Sequence, residues 1–151
     1  MPQLSLHTPI GDVTLAEEDG AIVSLDWGWG RDQGATDLLL KAREQLEAYF
    51  DGDLQTFDLP LAPVGTAYRL AVWQALREVP YGTVCNYRDI AARAGGSARS
   101  VGQANSRNPI PLIIPCHRVV AATHLGGYSG GDGLPTKRWL LNLENPDRTL
   151  L

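Results

Sequence analysis

The chain has 151 residues, 44% of them hydrophobic and 20% charged, which predicts a globular protein with one or two compact domains. Its apolar runs are shorter than the roughly 20 residues of a membrane helix, and residues 1–12 lack a signal-peptide pattern, so we expect a cytoplasmic protein without a membrane partner. Cys85 and Cys116 make no disulfide framework, and with the three histidines they show no metal-ligand spacing, so no metal site is expected.

The net charge of −4 is unevenly distributed. Residues 1–66 contain 3 Lys+Arg and 12 Asp+Glu, whereas residues 67–151 contain 10 and 5. Within residues 86–118, Asp89 is the one acid, against five arginines. These are Arg88, Arg93, Arg99, Arg107 and Arg118. An arginine-rich half indicates a face suited to phosphate, although ordinary solvated charge would give the same asymmetry.

The N-terminal part predicts a small antiparallel sheet followed by a helix. The expected strands span residues 4–8, 12–16 and 21–27, with turn signals between them. From Asp37 to Phe50 apolar residues recur at helical spacing, and Gly52 follows as a stop signal. The stretch 59–65 is rich in proline and glycine and marks a boundary. We therefore expect an α/β domain over residues 1–62.

Residues 63–151 predict a mostly α-helical second domain. Thr66 can cap a helix that Pro80-Tyr81-Gly82 ends. Two short helices, Tyr87–Ala94 and Ala98–Ser106, are joined by a glycine-containing turn and form a helix-turn-helix. A last helix is expected over about residues 136–144. It should bury Trp139, Leu140 and Leu143.

Pro115-Cys116-His117-Arg118 places a candidate nucleophile beside a candidate base. The apolar run 110–114 precedes it and should carry the cysteine into the interior. A buried cysteine is usually an inert small hydrophobe. With a histidine and arginines nearby it can instead be held as a thiolate that attacks carbon. The residues alone leave both alternatives open.

Two other features have a functional and an ordinary interpretation. Arg99, Gly102, Gln103 and Ser106 share one small, polar helix face, which permits close approach to another surface or is simply solvated. Glu144 lies on the apolar stripe of the last helix and needs a partner, such as a buried histidine, an N-terminal amide or an arginine. For Glu144 the pattern favours a salt bridge over a catalytic role.

The segment from Arg99 to Val120, with its Pro-Cys-His-Arg core, resembles the signature of the O6-alkylguanine-DNA alkyltransferases, also called methylated-DNA–protein-cysteine methyltransferases. Residues 71–76 with 80–82 are similar to the family's preceding helix and turn. Residues 128–131 and 137–141 match its C-terminal part. The resemblance is strong over roughly residues 66–145, and residues 1–65 agree mainly in layout.

The resemblance implies DNA repair by direct reversal. A guanine carrying an O6-alkyl group is flipped out of duplex DNA, and the alkyl group moves irreversibly to Cys116, once per molecule and without a cofactor. The second helix of the helix-turn-helix would lie in the minor groove, and a monomer is the default expectation. The alternative is a DNA-binding protein that senses alkylguanine without repairing it; such relatives lack the cysteine. A Cys–His hydrolase would have no use for the arginine-rich helix pair.

The resemblance also implies catalytic roles. Cys116 would be the thiolate acceptor, and His117 would draw off its proton through a water. Glu144 would orient His117 and balance its charge. Asn108 would tie the Asn-Pro turn to the active-site segment.

The implied substrate-binding residues are Tyr87, Arg99, Val119, Tyr128 and Ser129. Tyr87 would contact the flipped base, and Arg99 would fill the gap in the base stack. Main-chain groups at Val119 and Ser129, with Cys116, would read the base edges. Loop lengths near residues 95–97 and 132–133 depart from the family pattern. The resemblance therefore says least about the range of alkyl groups that the protein accepts.

Overall fold

The computed structural model describes residues 1–147, and the chain divides into two compact units between Val64 and Gly65. In the first unit three strands form an antiparallel sheet in the order β1-β2-β3. They are β1 (Gln3–Leu6), β2 (Val13–Glu18) and β3 (Ala21–Trp27). Helix α1 (Asp37–Phe50) packs on this sheet, and Leu15, Ile22 and Leu46 are fully buried in this unit.

The sheet and helix confirm the predicted α/β fold, with small shifts in the strand ends. β1 ends at Leu6 rather than at residue 8, because Thr8 and Gly11 exchange two main-chain hydrogen bonds of 3.2 and 3.1 Å that close a turn. β2 continues to Glu18, past a register irregularity at Ala16 and Glu17.

The second unit is mostly helical, as predicted. Its helices are α2 (Ala67–Arg77), α3 (Tyr87–Ala94), α4 (Ala98–Ser106) and α5 (Leu134–Glu144). The first three pack on one another, and Trp73 Nε1 of α2 donates to the Ala104 carbonyl of α4 at 2.9 Å. A parallel strand pair, β4 (Cys85–Asn86) with β5 (Val119–Val120), was not predicted. Two residues are too few to show a strand period.

Both helices of the helix-turn-helix begin at capping boxes. Asn86 and Asp89 exchange side-chain to main-chain hydrogen bonds at the start of α3, and Ser97 and Ser100 do the same for α4. Between the helices Gly96 has a φ of +80° and lies against the Tyr68 hydroxyl, so a side chain at this position would collide with Tyr68. Local sequence thus fixes where each helix of the motif begins.

Helix α5 differs from the prediction in the face that it buries. It starts two residues earlier than expected, at Leu134. Trp139, expected in the core, is 37% exposed, whereas Lys137 is fully buried. The prediction was wrong for Trp139, whereas Leu140 is fully buried as expected. The prediction did not place Lys137 in the core, where three main-chain carbonyls satisfy its ammonium group. Within residues 1–147, no helix combines the length and apolar character that crossing a bilayer requires.

Ser97→Ala should lower the free energy of unfolding by about 1 kcal/mol, because the Ser100 N–H loses the acceptor that it now has at 3.1 Å. Ser97→Asp keeps an acceptor at the helix start and should remain within a few tenths of a kcal/mol of the wild type. Urea unfolding of the three proteins measures both differences. An equal loss in both variants would show that the hydroxyl acts here as a donor rather than as a cap.

Candidate active site

A buried turn carries Cys116 into the second unit, as the apolar run predicts. Ile110 and Ile114 are fully buried, and the Ile114 N–H donates to the Ile110 carbonyl at 2.9 Å. Asn108 braces this turn from both sides: its Nδ2 donates to the Ile114 carbonyl at 2.8 Å, and its Oδ1 accepts from the Ile110 N–H at 3.0 Å. Cys116 follows at the start of a short 3-10 turn and is only 5% exposed.

One buried carboxylate holds both residues that follow Cys116. Glu144, the last residue of α5, accepts from His117 Nε2 at 2.7 Å. It also accepts from Arg118, through Nε at 2.8 Å and Nη2 at 3.1 Å. The remaining nitrogen, Arg118 Nη1, donates to the Val79 carbonyl at 2.7 Å. Glu144 thus pairs with a buried histidine and with an arginine, two of the partner types expected for a carboxylate on an apolar stripe.

This arrangement fixes the tautomer of His117. A carboxylate only accepts hydrogen bonds, so His117 Nε2 carries the hydrogen and Nδ1 is left as an acceptor. His117 Nδ1 is buried and has no hydrogen-bond partner within residues 1–147. Burial lowers the pKa of His117, and this effect exceeds the opposing influence of Glu144. At neutral pH the ring is therefore neutral and able to accept a proton.

The same network keeps Glu144 ionised. Burial alone would raise the pKa of Glu144, but the hydrogen bonds from His117 and Arg118 and the positive charge of Arg118 lower it far below the usual range. Arg118 was counted among the arginines that face phosphate, and the structure contradicts this, because its guanidinium is buried against Glu144.

The thiol of Cys116 rests in its protonated form. Burial raises the pKa of Cys116, although a hydrogen bond from Asn108 and the charge of Lys137 oppose the shift. The structure therefore favours a thiol at rest over the stable thiolate that the sequence left open. A base must take its proton during any attack on carbon.

Lys137 is a residue of the site that the sequence did not reveal. Its ammonium donates to the carbonyls of Val119 at 2.6 Å, Leu125 at 2.5 Å and Gly127 at 3.0 Å. Burial lowers its pKa to about 8, an effect that a charge on Cys116 opposes. Lys137 thereby ties β5 to the loop that follows it. Its position on the apolar side of α5 was the one feature of the sequence that indicated burial of this lysine.

Cys116 opens onto a cavity of about 260 Å³, close to the lower limit of ligand pockets. Its lining includes Tyr87, Asn105, Ser106, Cys116, Tyr128 and Ser129. Three of the residues expected to bind substrate, Tyr87, Tyr128 and Ser129, therefore line the same cavity as Cys116. Arg99 and Val119 are not among the lining residues: Arg99 is exposed on α4, and Val119 is buried in β5.

The Tyr87 ring forms one wall and is packed on two sides. On the side of Gly102 in α4, an added Cβ would lie 3.9 Å from the ring, at ordinary van der Waals distance. On the other side Gly126, with a φ of +76°, leaves room for the Tyr87 hydroxyl, and the Gly127 N–H donates to this hydroxyl at 3.4 Å. The absence of a side chain at Gly126 thus allows the aromatic ring to take its place at the cavity.

Asn105 is a second residue of the site that the sequence did not reveal. It is buried and lines the cavity, and its Nδ2 donates to the Cys116 carbonyl at 3.3 Å. Helical spacing places Asn105 beside Val101 on the buried face, and the sequence does not reveal that this face reaches the cysteine. Cys85, in contrast, lies in β4, outside this cavity.

Three arginines of the helix-turn-helix region remain available to an anionic partner. Arg88, Arg99 and Arg107 are exposed, and none of them forms a salt bridge within the described part of the chain. Arg93 is exposed as well, but Arg93 Nη1 lies 2.6 Å from Glu78 Oε2. The predicted basic face is therefore smaller than the count of arginines indicates.

Both units match models of one protein family. Residues 4–63 match the ribonuclease-like domain of 6-O-methylguanine DNA methyltransferase, and residues 67–146 match its DNA-binding domain. The chain belongs to this family. The resemblance found in the signature around Cys116 is thus confirmed.

Curated relatives and solved structures agree with this assignment. The constitutive methylated-DNA–protein-cysteine methyltransferase of Bacillus subtilis is 42% identical, with 91% of this chain and 92% of that protein covered. The corresponding Mycobacterium leprae protein is also 42% identical, with 93% and 90% covered. The crystal structure of Mycobacterium tuberculosis OGT in complex with DNA superimposes with a TM-score of 0.87 at 40% identity, covering 97% of this chain and 94% of that one.

Glu144→Gln should lower the free energy of unfolding at pH 7 by about 3–5 kcal/mol, because Arg118 is left buried without its counter-charge. The pKa of Glu144 is lowered by folding, so its stabilisation is complete above the unfolded carboxyl pKa of about 4.3 and is lost as the pH falls below it. The difference in stability between the two proteins should therefore narrow as the pH falls from about 4.3 toward pH 3 but should not vanish, because folded Glu144 is still ionised at pH 3. Urea unfolding from pH 7 to pH 3 tests this.

Glu78→Gln is the matched control, because Glu78 forms an exposed ion pair with Arg93. Its loss should not exceed about 1 kcal/mol. A similar small loss for Glu144→Gln would show that the buried network contributes little to folding.

Proposed function

We propose that the chain repairs alkylated DNA by moving the alkyl group of an O6-alkylguanine onto Cys116, once per molecule. The observation that supports this best is a buried cysteine at a ligand-sized cavity, beside a neutral histidine that a carboxylate orients. The family activity, methyl transfer from methylated DNA to a protein cysteine, is that of this chain as well. A sensor that binds alkylguanine without repair would have no need for this arrangement.

The chemical step is a displacement at the alkyl carbon. The Cys116 sulfur forms a bond to this carbon while the bond from carbon to guanine O6 breaks, and the electron pair of the broken bond passes to the base. Guanine leaves with restored hydrogen-bonding groups after its ring system takes up a proton. The new thioether is stable, so the protein is consumed by the reaction.

Removal of the thiol proton falls to His117. Its Nδ1 is the free acceptor of a ring that is neutral at pH 7, and Glu144 stabilises the imidazolium that forms. Because His117 is the direct neighbour of Cys116, we propose that the proton travels through a water. Asn108 holds the turn that presents the sulfur, and its hydrogen bond to Cys116 favours the thiolate.

The cavity would receive a base that has left the duplex. Tyr87 lies in its wall and would contact the base and help guanine to leave as a neutral species. Tyr128 and Ser129 lie at the same cavity, and main-chain groups of Val119 and Ser129 would read the base edges. Extrusion costs a few kcal/mol and is cheapest for a weakly paired lesion, which favours alkylguanine over ordinary guanine.

DNA would be held by the helix-turn-helix, with α4 in the minor groove. Gly102 and Ser106 keep one side of α4 small, and Arg88, Arg99 and Arg107 are free to contact phosphates or the base stack. We propose that the protein acts as a monomer. Two free cysteines suit the reducing cytoplasm, which we propose as its location.

Cys116→Ser should abolish transfer, because serine at neutral pH is a far poorer nucleophile, while binding to duplex DNA is retained. Intact mass after incubation with a duplex bearing O6-methylguanine measures the gain of one methyl group. Cys85→Ala is the control and should gain the methyl group at the wild-type rate, because Cys85 lies outside the cavity and burial raises the pKa of its thiol to about 11. Methylation of Cys116→Ser at another residue would refute the assignment.

Arg99→Ala should slow transfer from duplex DNA much more than transfer from the free alkylguanine base. If the arginine fills the gap left by the flipped base, it has nothing to stabilise when the base is free. A phosphate contact alone predicts weaker binding to all duplexes and a salt slope smaller by about one contact. Arg107→Ala serves as the matched control for loss of one exposed arginine. Equal slowing on both substrates would exclude the base-flipping role.

A further inference from the structure

Asn105 presents an unused acceptor beside the reactive cysteine. Its Nδ2 donates to the Cys116 carbonyl at 3.3 Å, and this carbonyl also accepts the Val119 N–H. A carbonyl only accepts, so the NH₂ end of the Asn105 amide must face it. The other end, Oδ1, is therefore fixed in position. It is buried and has no donor within residues 1–147.

An unpaired acceptor at this position requires an explanation. A buried polar atom without a partner costs about 1–3 kcal/mol, and folded proteins retain few of them. The neighbours of Asn105 on the buried face of α4 are the apolar Val101 and Ala104, so an apolar side chain would fill the position without this cost. The hydrogen bond from Nδ2 to the Cys116 carbonyl gives the NH₂ group of the amide a partner but gives none to Oδ1.

The position of Asn105 indicates what could satisfy this oxygen. The residue is only 8% exposed and lines the same cavity as Cys116 and Tyr128. A group that occupies the cavity thus comes next to Asn105. The ammonium of Lys137 donates to three other carbonyls, and the Tyr128 hydroxyl, which lines the same cavity, has no partner within residues 1–147 and so does not donate to Oδ1 either.

We propose that Asn105 determines substrate specificity, with Oδ1 accepting a hydrogen bond from an N–H or O–H group on the extruded alkylated purine. This rests on the function proposed above. Two parts of such a substrate carry donors: the amino group of the guanine ring, and a hydroxyl on a hydroxyalkyl adduct. A plain alkyl chain has no donor and gains nothing from Asn105. The preferred lesion is therefore one that presents a donor toward α4.

The experiment compares two matched pairs of lesions in one duplex sequence. O6-methylguanine and O6-methylhypoxanthine differ only in the ring amino group, and O6-(2-hydroxyethyl)guanine and O6-propylguanine are similar in size but differ in the hydroxyl. Single-turnover rate constants give one preference ratio for each pair. In the wild type we expect the donor-bearing lesion to react about tenfold faster in one pair, as about 1.4 kcal/mol predicts.

In Asn105→Leu, which has nearly the same shape without polar atoms, the ratio of that pair should fall toward one. The variant also loses the bond to the Cys116 carbonyl, but this slows both members of a pair equally and cancels in the ratio. Asn105→Ala gives a second measurement if leucine disturbs the packing, and circular dichroism checks that each variant folds. Gln103→Leu, on the exposed side of the same helix, is the control and should keep the wild-type ratios.

If the Asn105 variants lower the ratio of the pair that differs in the ring amino group, the contact is with the base. If they lower the ratio of the pair that differs in the hydroxyl, the contact is with the alkyl group. Either result supports the proposal. Wild-type ratios near one in both pairs, or ratios that neither Asn105 variant changes, would overturn it. Failure of the wild type to react with O6-methylguanine at all would instead reject the proposed function. The two failures are therefore distinguishable.

Discussion

The carboxylate of Glu144 is the interaction on which the active-site geometry depends. It joins the end of α5 to His117 and Arg118, and Arg118 extends the connection to the Val79 carbonyl just beyond α2. The end of α5, the segment just beyond α2 and the turn with His117 and Arg118 are far apart in sequence. This network fixes all three of them around Cys116. A buried ion pair adds little net stability over an apolar core, but loss of one partner is costly. The network therefore serves to fix one conformation of the turn at Cys116.

Burial of Cys116 has a chemical consequence for a protein that reacts once. A thiolate held permanently at the surface would react with any electrophile and be lost. Here burial raises the pKa of Cys116 and keeps the thiol protonated, while the same burial lowers the pKa of His117 and keeps its ring free to accept a proton. The acid and the base thus rest in their unreactive neutral forms until a substrate fills the cavity.

Local signals made most of the fold predictable, and long-range contacts account for what was missed. The bounds of α1, α3 and α4 agree with the prediction, because each has a cap, an apolar period and a stop signal within its own sequence. The partner of Glu144 remained open, since His117 and Arg118 reach it from another segment of the chain. Lys137 and Asn105 were not recognised as residues of the site for the same reason: each is polar, and its partners are main-chain carbonyls that no side-chain pattern reveals.

The number of free arginines limits how strongly this chain can bind DNA phosphates while it searches for a lesion. With Arg93 paired to Glu78 and Arg118 buried, three arginines of the helix-turn-helix region remain for DNA. If Arg99 enters the base stack, two of them remain for phosphates, and two to three phosphate contacts correspond to a slope of about −2 to −3 in a plot of log affinity against log salt, which is weak for a DNA-binding protein. Binding to undamaged DNA should therefore be brief. Selectivity must then come from the cost of base extrusion and the fit in the cavity, which Tyr87, Asn105 and Tyr128 line together with Cys116.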